Sequence, residues 1–273
     1  MIKTIRYKIK SVINFIKHFI FLFKQLGIIS SIKFLKIENQ DYTEKPYGDD
    51  KFTILNYRGG QIYLRNASTD IYLFKSILLG QYKGKVNRSF GEYRYCETLD
   101  INGKLIIDAG ANIGLFAVLM ALKFPKSKII CLEPEDANFQ QLVFNTRKYK
   151  NIICYKKGLW NKNTYLTIHD RGTGPWGFQV LETKEETSLH GISLNDILDK
   201  YNELEVGLVK MDIEGSEYSV FSSNLQWLDK VKYLVIETHD HIIPGSDELV
   251  NKVMVSKKFE KLSFEENQFF YKK

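Results

Sequence analysis

The chain has 273 residues, of which 44% are apolar, 26% charged and 14% aromatic; this excludes intrinsic disorder and leaves room for one sizeable core with an appendage. Three scattered cysteines (Cys96, Cys131, Cys154) exclude a disulfide framework and form no Cys-x-x-Cys zinc pair, so a reducing compartment is expected. The net charge of +7 is not a nucleic-acid signature: residues 1–37 hold eight Lys/Arg and no acid, whereas the rest of the chain holds 31 basic and 32 acidic side chains.

Within the basic segment, Lys3, Lys10, Lys17 and Lys24 recur at heptad spacing, and isoleucines, Val12 and phenylalanines cover most of the remaining circumference. The lysines interrupt too often for a span of ~18–20 apolar residues, and no small-residue cleavage site follows. Residues 1–37 are therefore expected to form a basic amphipathic helix that lies on a surface without crossing a bilayer. Two surfaces fit: the cytoplasmic face of an anionic membrane, or a face of the protein's own domain or of a second subunit.

Residues 38–50 are polar and turn-rich and predict a linker. Phe52–Tyr57 and Gln61–Arg65 alternate around Arg58-Gly59-Gly60, which predicts a hairpin, and Ser68-Thr69-Asp70 predicts the cap of a short helix through Gln81. Residues 38–84 thus read as a small β/α extension. Beyond it, apolar runs at Lys104–Ala109, Lys128–Glu133, Asn151–Lys156, Val206–Met211 and Val231–Thr238 are mostly separated by helical-period stretches at Asn112–Lys123, Asp136–Lys148, Leu194–Tyr201 and Ser216–Ser222. That alternation predicts an α/β fold over residues 85–273: a mostly parallel, doubly wound sheet covered on both faces. Glu260–Phe264 and Gln268–Tyr271 predict an antiparallel C-terminal edge.

The first strand runs into Asp108-Ala109-Gly110-Ala111-Asn112-Ile113-Gly114, and Glu133 ends the next strand nineteen residues after Gly114. Gly110 permits a sharp turn close to a ligand, Gly114 permits close helix packing, and Glu133 stands where an acid accepts the hydroxyl hydrogens of an adenosine ribose. The dinucleotide fingerprint aligned on Gly110 needs glycines at 108, 110 and 113, but 108 is Asp and 113 is Ile. Asp108 would also repel a pyrophosphate, whereas the sulfonium and ammonium of S-adenosylmethionine tolerate it. The site therefore favours that cofactor, held by Asp108, Gly110, Asn112, Gly114 and Glu133; the plainer reading is a tight turn alone. A nicotinamide-dependent dehydrogenase is disfavoured.

Asp170 to Phe178 holds three glycines, Pro175 and Trp176, a candidate substrate loop in which Trp176 stacks on a sugar or merely anchors the loop. Lys210, Asp212 and Glu214 alternate with apolar residues at the end of the fourth strand, and Glu237, His239 and His241 close the fifth at the same edge. Clustered charges of this kind suit proton transfer, with Asp212 the first candidate base, His239 and Glu237 behind it, Lys210 orienting, and Glu214 on the substrate side. The competing reading for Glu214 and Glu217 is capping of helix N-termini. A metal site would need Asp212, Glu237, His239 and His241 to converge; no compact spacing forces this, and none is expected.

Taken in order, Ile107 to Gly114, Cys131-Leu132-Glu133-Pro134 with Asn138-Phe139 and Asn145, Ser193 to Asp196, Val209 to Glu217, and Val235-Ile236-Glu237 resemble the FkbM-type methyltransferase family over about residues 90–240. Asn195 departs from the family's usual Thr-Leu-Asp-Asp run. The resemblance implies a Rossmann-like class I methyltransferase fold, S-adenosylmethionine as donor, and O-methylation of hydroxyls, commonly on sugars, polysaccharides or secondary metabolites. The acceptor expected here is a glycan or glycan precursor, without nucleic acid. The alternative is a non-catalytic nucleotide- or glycan-binding module of a polysaccharide assembly.

Overall fold

In a parallel sheet covered on both faces, each inner strand must be apolar nearly throughout. The strands Leu105–Ala109 (β1), Ile129–Leu132 (β2) and Val206–Met211 (β4) meet that demand, being buried at every position. The computed structural model describes residues 2–38, 52–66, 68–82, 85–86, 92–170, 177–202, 205–264 and 267–272. It divides into two compact units, Met1–Tyr72 and Leu73–Lys273.

In the larger unit, β3 (Ile152–Tyr155), β5 (Val231–Glu237), β6 (Glu260–Phe264) and β7 (Asn267–Tyr271) complete a seven-stranded sheet ordered β6-β7-β5-β4-β1-β2-β3. Strands β1 to β5 are parallel, and β7 runs antiparallel to both β5 and β6. This strand order is the Rossmann-like arrangement of class I methyltransferases. Its direction of winding reverses between β1 and β4, so the crevice beyond their carboxyl ends is where such sheets bind ligands. The β1–β4 register pairs Asp108 with Lys210, placing the two buried charges side by side at that crevice.

Each helix follows local chemistry. Leu115–Lys123 starts only after Gly114, whose φ of +85° is left-handed, so it is three residues shorter than the apolar period suggests. Leu194–Tyr201 begins on a capping box in which the Asp196 N–H donates to Ser193 Oγ, so Asp196 serves its own helix. The helix expected to reach Gln81 is α-helical only over Asp70–Leu73 and π-helical over Phe74–Leu78; Gln81 already belongs to a two-residue strand. Asp70 does not simply cap it: the carboxylate is drawn onto the Arg65 guanidinium and backbone N–H, each at 2.8 Å.

One element escapes the sequence pattern. Between β3 and Leu194 lies a four-stranded sheet, ordered Phe178–Thr183, Thr164–Asp170, His190–Ile192, Lys157–Leu159, over a small core of Trp160, Leu166, Val180 and Leu189. Thr164–Asp170 buries only Leu166 fully, so its strand carries no clear alternation.

In the smaller unit, the helix Ile2–Ile37 is broken at Gly27, which has φ +74° and ψ +171°. His18 Nε2 lies 2.9 Å from Glu38 Oε2, a pair that a straight helix would hold ~30 Å apart. The chain therefore doubles back into a helical hairpin, where the sequence suggests one continuous helix. Leu22, Leu26 and Phe34 are buried, and Ser30 Oγ accepts a 2.8 Å bond from the Asn56 N–H of the β-hairpin Phe52–Tyr57/Gly60–Arg65. By length and composition Lys10–Ile37 could cross a membrane. The reversal at Gly27 splits this stretch, so it is not one continuous span: the arm before it, Ile2–Leu26, is ~37 Å long but is interrupted by Lys10, Lys17 and Lys24. The linker from residue 39 to 50 lies outside the described residues, as does the Trp176 loop segment 171–176.

Candidate active site

The turn after β1 is fixed from three sides. Gly110 and Ala111 donate backbone N–H bonds to Leu132 O, each at 3.0 Å. Asn112, itself left-handed at φ +47°, accepts the Ile113 N–H on its own side chain at 2.8 Å. Its backbone N–H donates to Glu133 Oε2 at 2.7 Å, while the Glu135 N–H donates to Glu133 Oε1 at 3.0 Å. Glu133 thus clamps the loop to the end of β2 with one bond on each oxygen, leaving acceptor capacity on both. Burial pushes its carboxyl up to about 7, against those two backbone bonds.

Gly110 has a sharper role than approach to a ligand. A Cβ there, at φ +72°, would sit 1.7 Å from the backbone oxygen of Asp212, so the β1 and β4 loops meet only because position 110 has no side chain. At Gly114 a Cβ would meet Leu142 Cδ1 at 2.7 Å and Thr146 Cγ2 at 3.0 Å, which is the close helix packing the sequence implies.

Asp108 is fully buried, and neither of its carboxylate oxygens has a hydrogen-bond partner among the described residues. Its nearest countercharge is Lys210 Nζ at 3.5 Å. Burial pushes Asp108 up to about 6, against the pull of Lys210. Lys210 also donates to Gly110 O at 2.6 Å and faces Asp212 Oδ2 at 3.5 Å, so one ammonium ties the first loop to the second. Burial alone would lower its pKa; Asp212, Asp108, Glu133 and Glu237 outweigh it and hold the pKa above the ordinary lysine value.

The second loop is organised by Glu217. Fully buried, it accepts the Ile213 N–H at 3.1 Å and the Gly215 N–H at 2.8 Å, and its Oε1 lies 2.9 Å from His239 Nδ1. This differs from the helix capping weighed for Glu217: both N–H groups belong to the loop before its helix, so Glu217 braces that loop and orients His239. Burial opposes charge on His239, but the bond and charge of Glu217, with Asp212 and Glu214, raise its pKa to about 9. The far nitrogen, Nε2, faces Glu214 Oε2 at 3.6 Å, Asp212 Oδ1 at 3.8 Å and Glu237 Oε1 at 3.8 Å. Glu214 reaches this cluster from a left-handed turn (φ +53°) beyond the end of β4, so strand alternation does not place it there.

All the residues expected at this edge are accounted for except Trp176, which lies outside the described residues. Asp108, Lys210, Asp212, Glu214, Glu237 and His239 converge; Gly110, Asn112, Gly114 and Glu133 shape the adjoining loop. His241 is exposed, its ring 5.9 Å from that of His239 and outside the carboxylate cluster. Sequence reasoning missed Tyr93, whose ring lies 5.9 Å from Lys210 Nζ, and nothing in its local sequence marks it.

The residues present fit S-adenosylmethionine. An orphaned buried carboxylate suits a cationic amino-acid end, Glu133 retains acceptors for ribose hydroxyls, and five carboxylates at one edge repel a pyrophosphate. Residues 108–261 match the methyltransferase FkbM domain. The chain belongs to the FkbM methyltransferase family. Its methyl donor is S-adenosylmethionine. Hexuronic acid methyltransferase AglP of Haloferax volcanii is 23% identical over 162 residues, 59% of this chain and 66% of that one. Methyltransferase 1 of Beauveria bassiana is 27% identical over 162 residues, 50% of this chain and 64% of that one. The chain thus spans slightly less than two thirds of either relative. Among solved structures, fibrillarin of Aeropyrum pernix with bound S-adenosyl-L-methionine aligns over 84% of each chain, at 14% identity and a TM-score of 0.39.

Proposed function

We propose that the protein is an O-methyltransferase whose acceptor is a hydroxyl of a sugar, in a glycan or glycan precursor. The observation that carries this reading is the position of Asp212: half-buried, at the mouth of the donor crevice, with Oδ2 facing Lys210 and Oδ1 facing His239. A sugar hydroxyl is a poor nucleophile until its proton leaves, and a positioned base contributes ~10²–10⁴-fold. Asp212 takes that proton. Lys210 orients the carboxylate and stays bound to the glycine loop, keeping base and donor site in one frame. His239 is almost fully buried and held by Glu217, so it orients Asp212 and Glu214 and leaves contact with the acceptor to them. Asp108 and Glu133 hold the amino-acid and ribose ends of S-adenosylmethionine, which supplies an activated sulfonium methyl and leaves as S-adenosylhomocysteine.

A uronic acid is the first acceptor to examine, because AglP bears that activity in its name at 23% identity. The helical hairpin suits a peripheral position on anionic lipid at the cytoplasmic face: Val12, Phe15, Ile16, Phe23, Ile28 and Ile29 are exposed beside Lys10, Lys17, Lys24 and Lys33. The test is incubation with methyl-labelled S-adenosylmethionine and a panel of mono- and oligosaccharides with and without uronic acids. Label in an ether-linked methyl of a sugar supports the reading. Label confined to nitrogen or carbon of another acceptor class defeats it.

A further inference from the structure

The geometry points to a divalent-cation site of the Mg²⁺/Mn²⁺ class formed by His239 Nε2, Asp212 and Glu214, beside the donor crevice. Ligand atoms of these three residues all lie within 4.8 Å of one another. Acidic clusters alone are common on protein surfaces; the independent observation here is the imidazole. His239 is about 4% exposed, and its Nε2 makes no hydrogen bond among the described residues. That nitrogen is aimed into carboxylate oxygens at 3.6 and 3.8 Å, too far to bond directly. Two ligands that share a cation at ~2.0–2.2 Å stand roughly 3–3.5 Å apart, so each carboxylate oxygen must draw in on Nε2 by a few tenths of an ångström, and the three ligand atoms together from separations of up to 4.8 Å.

The surroundings match what a metal-binding histidine needs. Glu217 Oε1, 2.9 Å from Nδ1, fixes the ring so that Nε2 points at the carboxylates and would ligate a cation that displaces its proton, the carboxylate–histidine arrangement that commonly supports bound metal. Glu217 has no exposed surface and also binds two backbone N–H groups of the same loop, so ring orientation and ligand loop are set together. Glu237 Oε1, also 3.8 Å from Nε2, is a further oxygen on the same nitrogen. Hard oxygens with one imidazole favour Mn²⁺ or Mg²⁺ over thiophilic metals. The half-exposed side of Asp212 and Glu214 leaves positions for acceptor oxygens, which binds a vicinal diol or a hydroxyl–carboxylate pair of a uronic acid better than a lone alcohol. This inference deepens the proposed function and relies on it for the acceptor, though not for metal binding; Asp212 Oδ1, on the His239 side, would face the cation and leave Oδ2, beside Lys210, to take the hydroxyl proton.

The experiment titrates Mn²⁺ into chelator-treated full-length protein and reads bound metal by electron paramagnetic resonance, with S-adenosylhomocysteine affinity measured on the same samples. The expected result is one Mn²⁺ per chain with hyperfine coupling to one imidazole nitrogen. Glu214→Gln and His239→Gln should each weaken Mn²⁺ by ~10-fold or more, the latter abolishing the nitrogen coupling, while S-adenosylhomocysteine affinity is retained. Glu217→Gln, a positioning change, should weaken Mn²⁺ yet keep the coupling. The wild-type coupling needs no variant, so a misfolded His239→Gln does not spoil the test. No Mn²⁺ bound, or Mn²⁺ without nitrogen coupling, overturns the site. If S-adenosylhomocysteine binds where Mn²⁺ does not, only the metal fails; if S-adenosylhomocysteine fails to bind, the methyl-transfer reading falls instead.

Discussion

Replacing Gly110 with Ala tests whether the two halves of the site depend on one backbone contact. Gly103 provides the control, since it is also left-handed, at φ +87°, but a Cβ there meets nothing within 4 Å. Gly103→Ala should therefore cost only the left-handed strain, ~1–2 kcal/mol. At Gly110 the same strain is joined by a Cβ 1.7 Å from the Asp212 carbonyl, so the ends of β1 and β4 must part by more than an ångström. Parting them breaks the Asp212 N–H bond to Ala109 O, 3.2 Å, and the Lys210 bond to Gly110 O, 2.6 Å. Neutral and charged bonds contribute about 1 and about 1.5–3 kcal/mol respectively, so Gly110→Ala should cost ~4–6 kcal/mol in total. For a unit of about 200 residues at ~2–4 °C per kcal/mol, the melting temperature should fall by ~8–24 °C, against ~2–8 °C for Gly103→Ala. Thermal melting followed by circular dichroism measures both. S-adenosylhomocysteine binding should be lost in Gly110→Ala and kept in Gly103→Ala. Equal, mild effects in the two variants would refute the close approach.

Other predictions follow from the charges. Glu133 must be ionised to accept ribose hydroxyls, and its pKa stands at about 7, so affinity for S-adenosylhomocysteine should rise from pH 6 to pH 8; a flat profile in the wild type contradicts the role, and Glu133→Gln should flatten it. Because that pKa is raised from 4.5, the native chain binds more protons than the unfolded one, so this group's contribution to stability falls as pH rises between 4.5 and about 7. Urea midpoints at pH 5 and 7.5 should differ less in Glu133→Gln than in the wild type. Asp212→Asn should keep S-adenosylhomocysteine affinity and lose turnover ~10²–10⁴-fold; turnover that survives places the base elsewhere. Glutamates at exposed Phe15, Phe23 and Ile29 should abolish sedimentation with anionic vesicles without changing the melting temperature, and unchanged sedimentation would remove the hairpin from membrane binding.

The central sheet was legible because its inner strands β1, β2 and β4 are fully buried runs that carry charge only near their carboxyl ends, as Asp108 and Lys210 show. Glu133 and Asp212 could be placed for the same reason: strand ends in a parallel sheet share one edge. Three features were not legible. The reversal at Gly27 looks like any glycine in a helical pattern, and only the pairing of His18 with Glu38 gives it away. The sheet around Leu166 lacks alternation because most of its first long strand faces solvent. The work of Glu217, which caps a loop and orients His239 across 22 residues of sequence, is a tertiary fact with no local periodicity.

The most direct test of the account is calorimetric titration of the full chain with S-adenosylhomocysteine and, separately, with NAD, in the wild type and in Glu133→Ala. The account predicts binding of S-adenosylhomocysteine alone, weakened at least about tenfold by Glu133→Ala, as loss of a hydrogen-bonding carboxylate of ~1.5–3 kcal/mol requires. Binding of NAD, or a Glu133→Ala affinity equal to the wild type, would contradict it.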